Sequence, residues 1–306
     1  MNRTDFAMNL LNIPMIGRGR TKNILKNYSP LADPVQLINY FYPFLSIGEK
    51  EYRIAELTTK KQKYKADLSG IKILSHIDFF YPSLLLSIKD YPPVLYMRGN
   101  HAILNKPLAA ALIGSRMCSE KLLKLTELIG EQLSFNGFTI ISGLALGCDT
   151  RAHESAIKRK TDTIAVMPCG PDFIYPRENR ILYSQILRNK GVILSEYGPG
   201  THPAPYRFVE RDRLQSGLAN LVVLIEASVT GGAMYAAYSA LKQKRPLLVF
   251  QPETESSHNS GNRLLILQEK VYPFSSLEEF ILLMKNIGQI ISDCNRDTDQ
   301  LIFPYV

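Results

Sequence analysis

Apolar residues between Leu108 and Phe250 fall into six short runs, with amphipathic stretches between them. The runs LAAALI (108–113), FTIIS (138–142), TIAVM (163–167), GVILS (191–195), LVVLI (221–225) and PLLVF (246–250) are apolar on successive residues, the pattern of strands buried on both faces. The intervening periodicity predicts helices over 119–136, closed by Asn136-Gly137, and over 149–158, 178–189 and 232–243. Buried strands alternating with helices define an α/β fold on a doubly wound, mostly parallel sheet.

The flanks read differently. Residues 1–75 carry short helical patterns broken by Pro14, Pro30, Pro34 and Pro43, without a strand of convincing length, and are expected to form a small helical domain. Within it, apolar residues on either side of Ile16-Gly17-Arg18-Gly19 suggest a helix-hairpin-helix or SAM-like arrangement. Such a turn either points backbone N–H groups at a phosphate or simply joins two helices. Residues 76–106, rich in proline and aromatics, are expected to run as an irregular connector. It should be ordered, because Phe79, Phe80, Tyr81 and Leu84 are too apolar for a free linker. The sheet domain then occupies 107–285, with one or two amphipathic helices over 270–290, and 286–306 is a tail too short for another domain.

Composition narrows the function classes. No stretch approaches the length of an apolar membrane span, and Met1-Asn2-Arg3-Thr4-Asp5 does not open a signal peptide, so a cytoplasmic protein without membrane insertion is expected. Cys118, Cys148, Cys169 and Cys294 lie far apart with no CxxC pair, which fits reduced thiols and no metal site. The net charge is +8, and residues 1–100 hold 14 Lys and Arg against 8 Asp and Glu, leaving 22 against 20 for the rest. A basic balance favours polyanions, although a cluster such as Lys60, Lys61, Lys63 and Lys65 is equally a solvated face.

Ligands of open α/β sheets bind beyond the carboxyl ends of the strands. There the chain has Gly114-Ser115-Arg116, then Ser142-Gly143 running to Asp149, Pro168-Cys169-Gly170, Ser195-Glu196 followed by a long loop to Arg211-Asp212-Arg213, and Glu226 to Gly232. Glycines at these junctions let backbone approach an anion. The first junction has one glycine where a dinucleotide fingerprint needs three, and no P-loop is present, so no nucleotide cofactor is expected.

Seven arginines, at 116, 151, 177, 180, 207, 211 and 213, lie in or near these loops, and Phe173, Tyr175, Tyr206 and Phe208 are interleaved with them. Distributed cations suit several phosphates in a row, and rings stack unpaired bases. The competing reading is structural ion pairing with Asp149, Asp172, Glu178, Glu196, Glu210 and Asp212. An acid/base pair from Asp149, His153, Glu196 or Glu226 would instead make the same edge a nucleotide-processing enzyme or sensor. No nucleophile elbow or metal cluster supports that alternative, and no catalytic residue is assigned.

Taken in order, YPPVLYMRGN (91–100), ALIGSR (111–116), SGLALGCDTRAH (142–153), PCGPDFIYPREN (168–179), LSEYGPGTHPAPYRFVERDR (194–213), GLANLVVLIEA (217–227) and SGNRLL (260–265) resemble the DNA-processing protein A family, also called Smf. The resemblance implies an extended Rossmann-like domain and a non-catalytic binder of single-stranded DNA. Such a protein protects incoming DNA in natural transformation, loads the RecA recombinase, eases displacement of single-strand binding protein and acts as a homodimer. The family's DNA-contacting loop matches Gly114, Ser115 and Arg116, and its arginine-x-arginine step matches Arg211 and Arg213. With the glycine loops and rings, the candidate contacts are Gly114, Ser115, Arg116, Gly143, Tyr175, Asn179, Arg207, Phe208, Arg211, Arg213 and Gly231. Three departures stand out. Asp212 replaces the family's usual asparagine, Thr230-Gly231-Gly232 replaces serine-glycine-serine, and the winged-helix domain of many members is not expected here.

Overall fold

The N-terminal segment condenses into four helices, α1 (Arg3–Leu11), α2 (Arg18–Leu25), α3 (Pro34–Phe41) and α4 (Glu49–Leu68), in the computed structural model, which describes residues 1–296. Local chemistry sets their starts. The Asn2 side chain accepts from the Asp5 N–H and the Asp33 side chain from the Gln36 N–H, with Pro34 opening α3. Phe6, Leu10, Ile24 and Ile38 close a core that also takes in Val94 and Tyr96 from the following segment.

That following segment is more regular than its prolines suggest. It contains α5 (Ser83–Leu86) and β2 (Val94–Gly99), and β1 (Lys72–Ser75) comes just before it, a strand inside residues 1–75 where only helices were expected. β1 pairs antiparallel with β2, which pairs antiparallel with β6 (Val192–Ser195), so the end of the expected helical domain and the expected irregular connector both supply part of the sheet. Pro92 and Pro93 precede β2, where a missing N–H breaks no ladder bond.

The remaining elements are β3 (Ala109–Ile113), α6 (Glu120–Phe135), β4 (Thr139–Ser142), α7 (Cys148–Lys158), β5 (Thr163–Val166), α8 (Arg180–Arg188), β6 (Val192–Ser195), α9 (Pro205–Gly217), β7 (Leu221–Leu224), α10 (Ala233–Lys242), β8 (Leu247–Phe250), α11 (Ser260–Ile266), β9 (Val271–Phe274), α12 (Leu277–Lys285) and α13 (Ile287–Arg296). The nine strands lie in the order β1-β2-β6-β5-β4-β3-β7-β8-β9. All pairings from β6 to β9 are parallel.

The α/β fold with a doubly wound, mostly parallel sheet is therefore as the apolar runs require. Three elements of this part are additions: α9 stands where a loop was expected, α11 was not expected, and β9 takes the first residues of the span 270–290 predicted as helix. The expected tail begins with α13, and its residues 297–306 lie outside the described residues. One face of the sheet packs Leu85, Leu214, Met234 and Leu265 from α5, α9, α10 and α11, and the other packs Ile129, Ala152 and Phe280 from α6, α7 and α12.

Candidate nucleic-acid interface

The winding reverses between β3 and β7, so the loops beyond their carboxyl ends diverge and leave a crevice. It holds about 380 Å³ and is lined by Gly114, Ser115 and Arg116 after β3, Phe208 and Arg211 on α9, and Gly231 after β7. The exposed Arg116 carries its guanidinium 5.3 Å from the centre of the Phe208 ring. Phe208 meets Tyr175 edge to face at 5.4 Å between centroids. Arg116 and Tyr175 also line a second cleft of about 530 Å³ with Phe173, Arg177 and His202. The two clefts join at Arg116. Among the described residues, Arg116, Arg177 and Arg180 form no salt bridge, so this edge offers cations not neutralised by the protein.

Close packing explains the glycines. A Cβ on Gly114 would stand 2.6 Å from Cys148 Sγ, and one on Gly143 would stand 1.9 Å from Nη1 of Arg211. Gly147, at φ +77°, turns the chain so that the Cys148 N–H donates to the Ser115 carbonyl at 3.2 Å, seating the Gly-Ser-Arg loop on the start of α7.

Two of the candidate glycine contacts, Gly143 and Gly231, already use their N–H groups within the fold. The Gly143 N–H donates to Asp149 Oδ2 at 3.1 Å, and the Gly231 N–H to the Ser228 carbonyl at 2.8 Å. Asn179 is buried and donates to the Leu144 carbonyl at 2.8 Å and to Thr150 Oγ1 at 2.9 Å. It clamps the loop after β4, in which Leu144 has the left-handed φ of +57°, instead of facing a ligand.

The two arginines after β6 part company for a reason of geometry. Residues two apart on a helix point to different sides. Arg211 reaches the crevice floor, donates to the Val166 carbonyl at 2.7 Å and pairs with Asp212 at 2.9 Å. Arg213 points away. It donates to both carboxylate oxygens of Glu196, at 2.8 and 2.9 Å, and pairs with Asp90 at 2.7 Å, so its assignment to the same anion track gives way to a structural role. Arg207 lies over Tyr197 and Tyr206 and donates to the carbonyl of His202, a residue of the second cleft. Pro205 at the first turn was the readable sign of α9; its buried face, with Arg211, Asp212 and Gln215, is too polar for periodicity to find.

Titratable groups under the crevice are tied into the fold. Burial raises the Asp149 carboxyl above its usual range, against Arg211 and the N–H groups of Ala145 and Gly143. Burial pushes the Asp212 carboxyl up to about 6, with Arg211 opposing and Asp149 adding. His153 is inaccessible, its Nδ1 shares a hydrogen bond with Thr163 Oγ1 at 2.7 Å, and burial holds it down to about 3, so it is neutral. Sequence spacing gave no sign of one further cluster: Cys118 Sγ lies 3.2 Å from Cys148 Sγ and donates to Glu226 Oε2 at 3.2 Å. The Cys148 thiol, then burial, then Glu226 push the Cys118 thiol well above its ordinary value, which keeps it protonated. Among the described residues no three His, Cys, Asp or Glu side chains are grouped to hold a metal, and no helix is long and apolar enough to cross a membrane.

The family profile of DNA recombination-mediator protein A matches residues 72–285, from β1 to the end of α12. The chain belongs to that family. It is similar to DNA processing protein DprA of Streptococcus pneumoniae, at 36% identity over 62% of this chain and 64% of the relative. It also resembles Protein Smf of a Synechocystis strain, at 37% identity over 60% of this chain and 47% of the relative. The matches thus span between about half and two thirds of these relatives' own lengths. Among solved structures, DNA processing protein A from S. pneumoniae superposes with a TM-score of 0.74 at 26% identity, covering 92% of this chain and 98% of that one. DNA processing protein A from Helicobacter pylori, described for its single-stranded DNA binding mode, superposes with a TM-score of 0.63 at 32% identity, covering 71% and 96%. The motifs carrying the family pattern, including Gly114-Ser115-Arg116, fall within the matched span.

Proposed function

We propose that this chain binds single-stranded DNA along the carboxyl edge of its sheet, without chemical turnover. The observation that carries this reading is Arg116: an exposed cation, stacked on Phe208 and outside any salt bridge, at the junction of the two clefts. Phosphates would meet Arg116, Ser115 and the Gly114 backbone, with Arg211 adding charge from the floor and Arg177 and Arg207 extending the edge. Tyr175 and Phe208 would stack bases. The single-stranded DNA binding of the H. pylori relative supports the same ligand here. Against turnover stands the state of the acid/base candidates: His153 is sealed and neutral, and Asp149 is occupied by backbone N–H groups.

Membership of the family supports a wider role. We assign the chain to the handling of incoming DNA in the cytoplasm during transformation or recombination. As a homodimer it would protect the strand, load RecA and ease displacement of single-strand binding protein. The family description as a recombination mediator supports the RecA link; the dimer and single-strand binding protein rest on the motif resemblance.

Arg116→Ala should weaken binding of labelled oligo-dT about tenfold, equally across base sequences, and reduce the steepness of log K against log salt by about 1. Anisotropy titrations at several salt concentrations measure both. Affinity equal to the parent's at every salt concentration would remove Arg116 from the site, and turnover of nucleoside monophosphates that Glu226→Gln abolishes would favour the enzyme instead.

A further inference from the structure

A third and larger groove, of about 1290 Å³, runs between the N-terminal helices and the outer sides of α9 and α10. Seven of its lining residues are Lys or Arg and two, Asp90 and Glu210, are acidic. Both acids pair with two of these cations, Asp90 with Arg213 at 2.7 Å and Glu210 with Arg18 at 3.2 Å, so the charge offered to a ligand comes chiefly from Arg20, Lys22, Lys89 and Lys242. We propose that this groove is a second binding site for a nucleic-acid phosphate backbone, distinct from the carboxyl-edge track.

Its cations are held in place by the fold. The Arg20 guanidinium lies 5.5 Å and 5.2 Å from the ring centres of Tyr42 and Phe44. Lys22 sits 4.1 Å from the Tyr91 ring centre and donates to the Lys89 carbonyl at 2.6 Å. Burial lowers the Lys22 ammonium, opposed by Asp90 and reinforced by Arg18, Arg213 and Lys26. A bound phosphate would relieve that crowding. Lys89 and Lys242 stand exposed on the walls. At the first turn of α2, nothing lies within 4 Å of where a Cβ on the N-cap Gly17 or on Gly19 would stand, so a ligand can approach the backbone there.

The shape favours a chain of phosphates over a single one. One phosphate needs a few converging donors, whereas these cations are spread along a groove more than twice the volume of either cleft. Exposed Tyr235 in the wall offers a stacking ring. The two sites also share walls. On α9, Phe208, Arg211 and Asp212 line the crevice while Val209, Glu210 and Arg213 line the groove. On α10, Ala233 and Ala236 face one and Tyr235 and Lys242 the other. A strand too long for the edge can therefore cross this ridge and continue. The choice of nucleic acid as ligand rests on the function proposed above, but the groove uses no residue assigned to that track.

Anisotropy titrations of the full chain with short and long labelled oligo-dT, and with free tripolyphosphate as competitor, test this. Lys89→Ala/Lys242→Ala should weaken long oligo-dT about tenfold at low salt and reduce the salt steepness by 1 to 2, about one for each phosphate no longer neutralised. Lys60→Ala/Lys61→Ala, which removes two exposed charges from α4, should leave binding unchanged. Equal losses in the two double variants would reduce the effect to bulk charge and overturn the site. So would unchanged oligo-dT binding in the Lys89/Lys242 variant, including the case where tripolyphosphate alone loses affinity, which would mark a free-phosphate site. Arg116→Ala run alongside separates the two proposals: a silent Arg116 with a sensitive Lys89/Lys242 pair sinks the edge and keeps the groove.

Discussion

Asp212 is the residue at which this chain departs most consequentially from the pattern it resembles. Its carboxyl is buried against Arg211, and burial raises it from 3.8 to about 6. Over that interval the folded chain keeps a proton that the unfolded chain releases, so this residue's contribution to stability is full below the unfolded value and is lost as pH rises through about 6. Asp212→Asn should flatten that part of the pH profile, as read from urea midpoints between about pH 4 and about pH 7. Oligo-dT affinity of the parent should also fall as Asp212 ionises, beyond the fall in the variant. Parallel profiles for the two proteins would remove Asp212 from both effects. The aspartate was visible in the sequence. Its proton affinity was not, because that depends on which groups the helix buries beside it.

At the level of elements, the loop after β4 shows how the candidate edge is braced by contacts within the fold. Asp149 gathers the N–H groups of Gly143 and Ala145, Asn179 holds the carbonyl of Leu144, and the bare Gly143 makes room for Arg211. Asn179→Ala leaves the Leu144 carbonyl unpaired and should cost about 1 to 3 kcal/mol in urea unfolding. Hydrogen exchange should quicken in residues 143–148, and unchanged exchange there would show that the clamp is dispensable. Gly143→Ala should cost about 1 to 3 kcal/mol through overpacking against Arg211. The glycines were legible as close approaches, yet the sequence did not say which side chains pack against them: a buried guanidinium at Gly143 and a thiol at Gly114. Helix α9 was missed for a related reason. Its inward side chains are mostly polar, with Arg211 paired to Asp212 and Gln215 donating to Asp212, so it lacks the apolar stripe by which a helix is recognised.

Across the whole molecule, the N-terminal helices are tied to the sheet domain by Arg18, which donates to Glu196 at 2.6 Å and reaches Glu210 at 3.2 Å. The Glu196 side chain is only 3% exposed and is shared with Arg213. Arg18→Ala should therefore loosen the helices without dismantling the sheet, since Glu196 keeps one partner. Limited proteolysis should cut within residues 1–70 sooner than in the parent, and equal cleavage rates would assign the attachment to apolar packing on Val94 and Tyr96 alone. The doubly wound sheet and the positions of β3 to β8 followed from the sequence, because strands buried on both faces must be continuously apolar and parallel strands must return through helices, whereas β1, β2 and β9 did not. The direction in which each charge points did not follow from it. Arg116, Arg211 and Arg213 look alike along the chain, but tertiary packing left the first free on a ring, set the second into the floor and neutralised the third. Which cations meet solvent is decided by partners distant in sequence, and those partners exist only once the fold has formed.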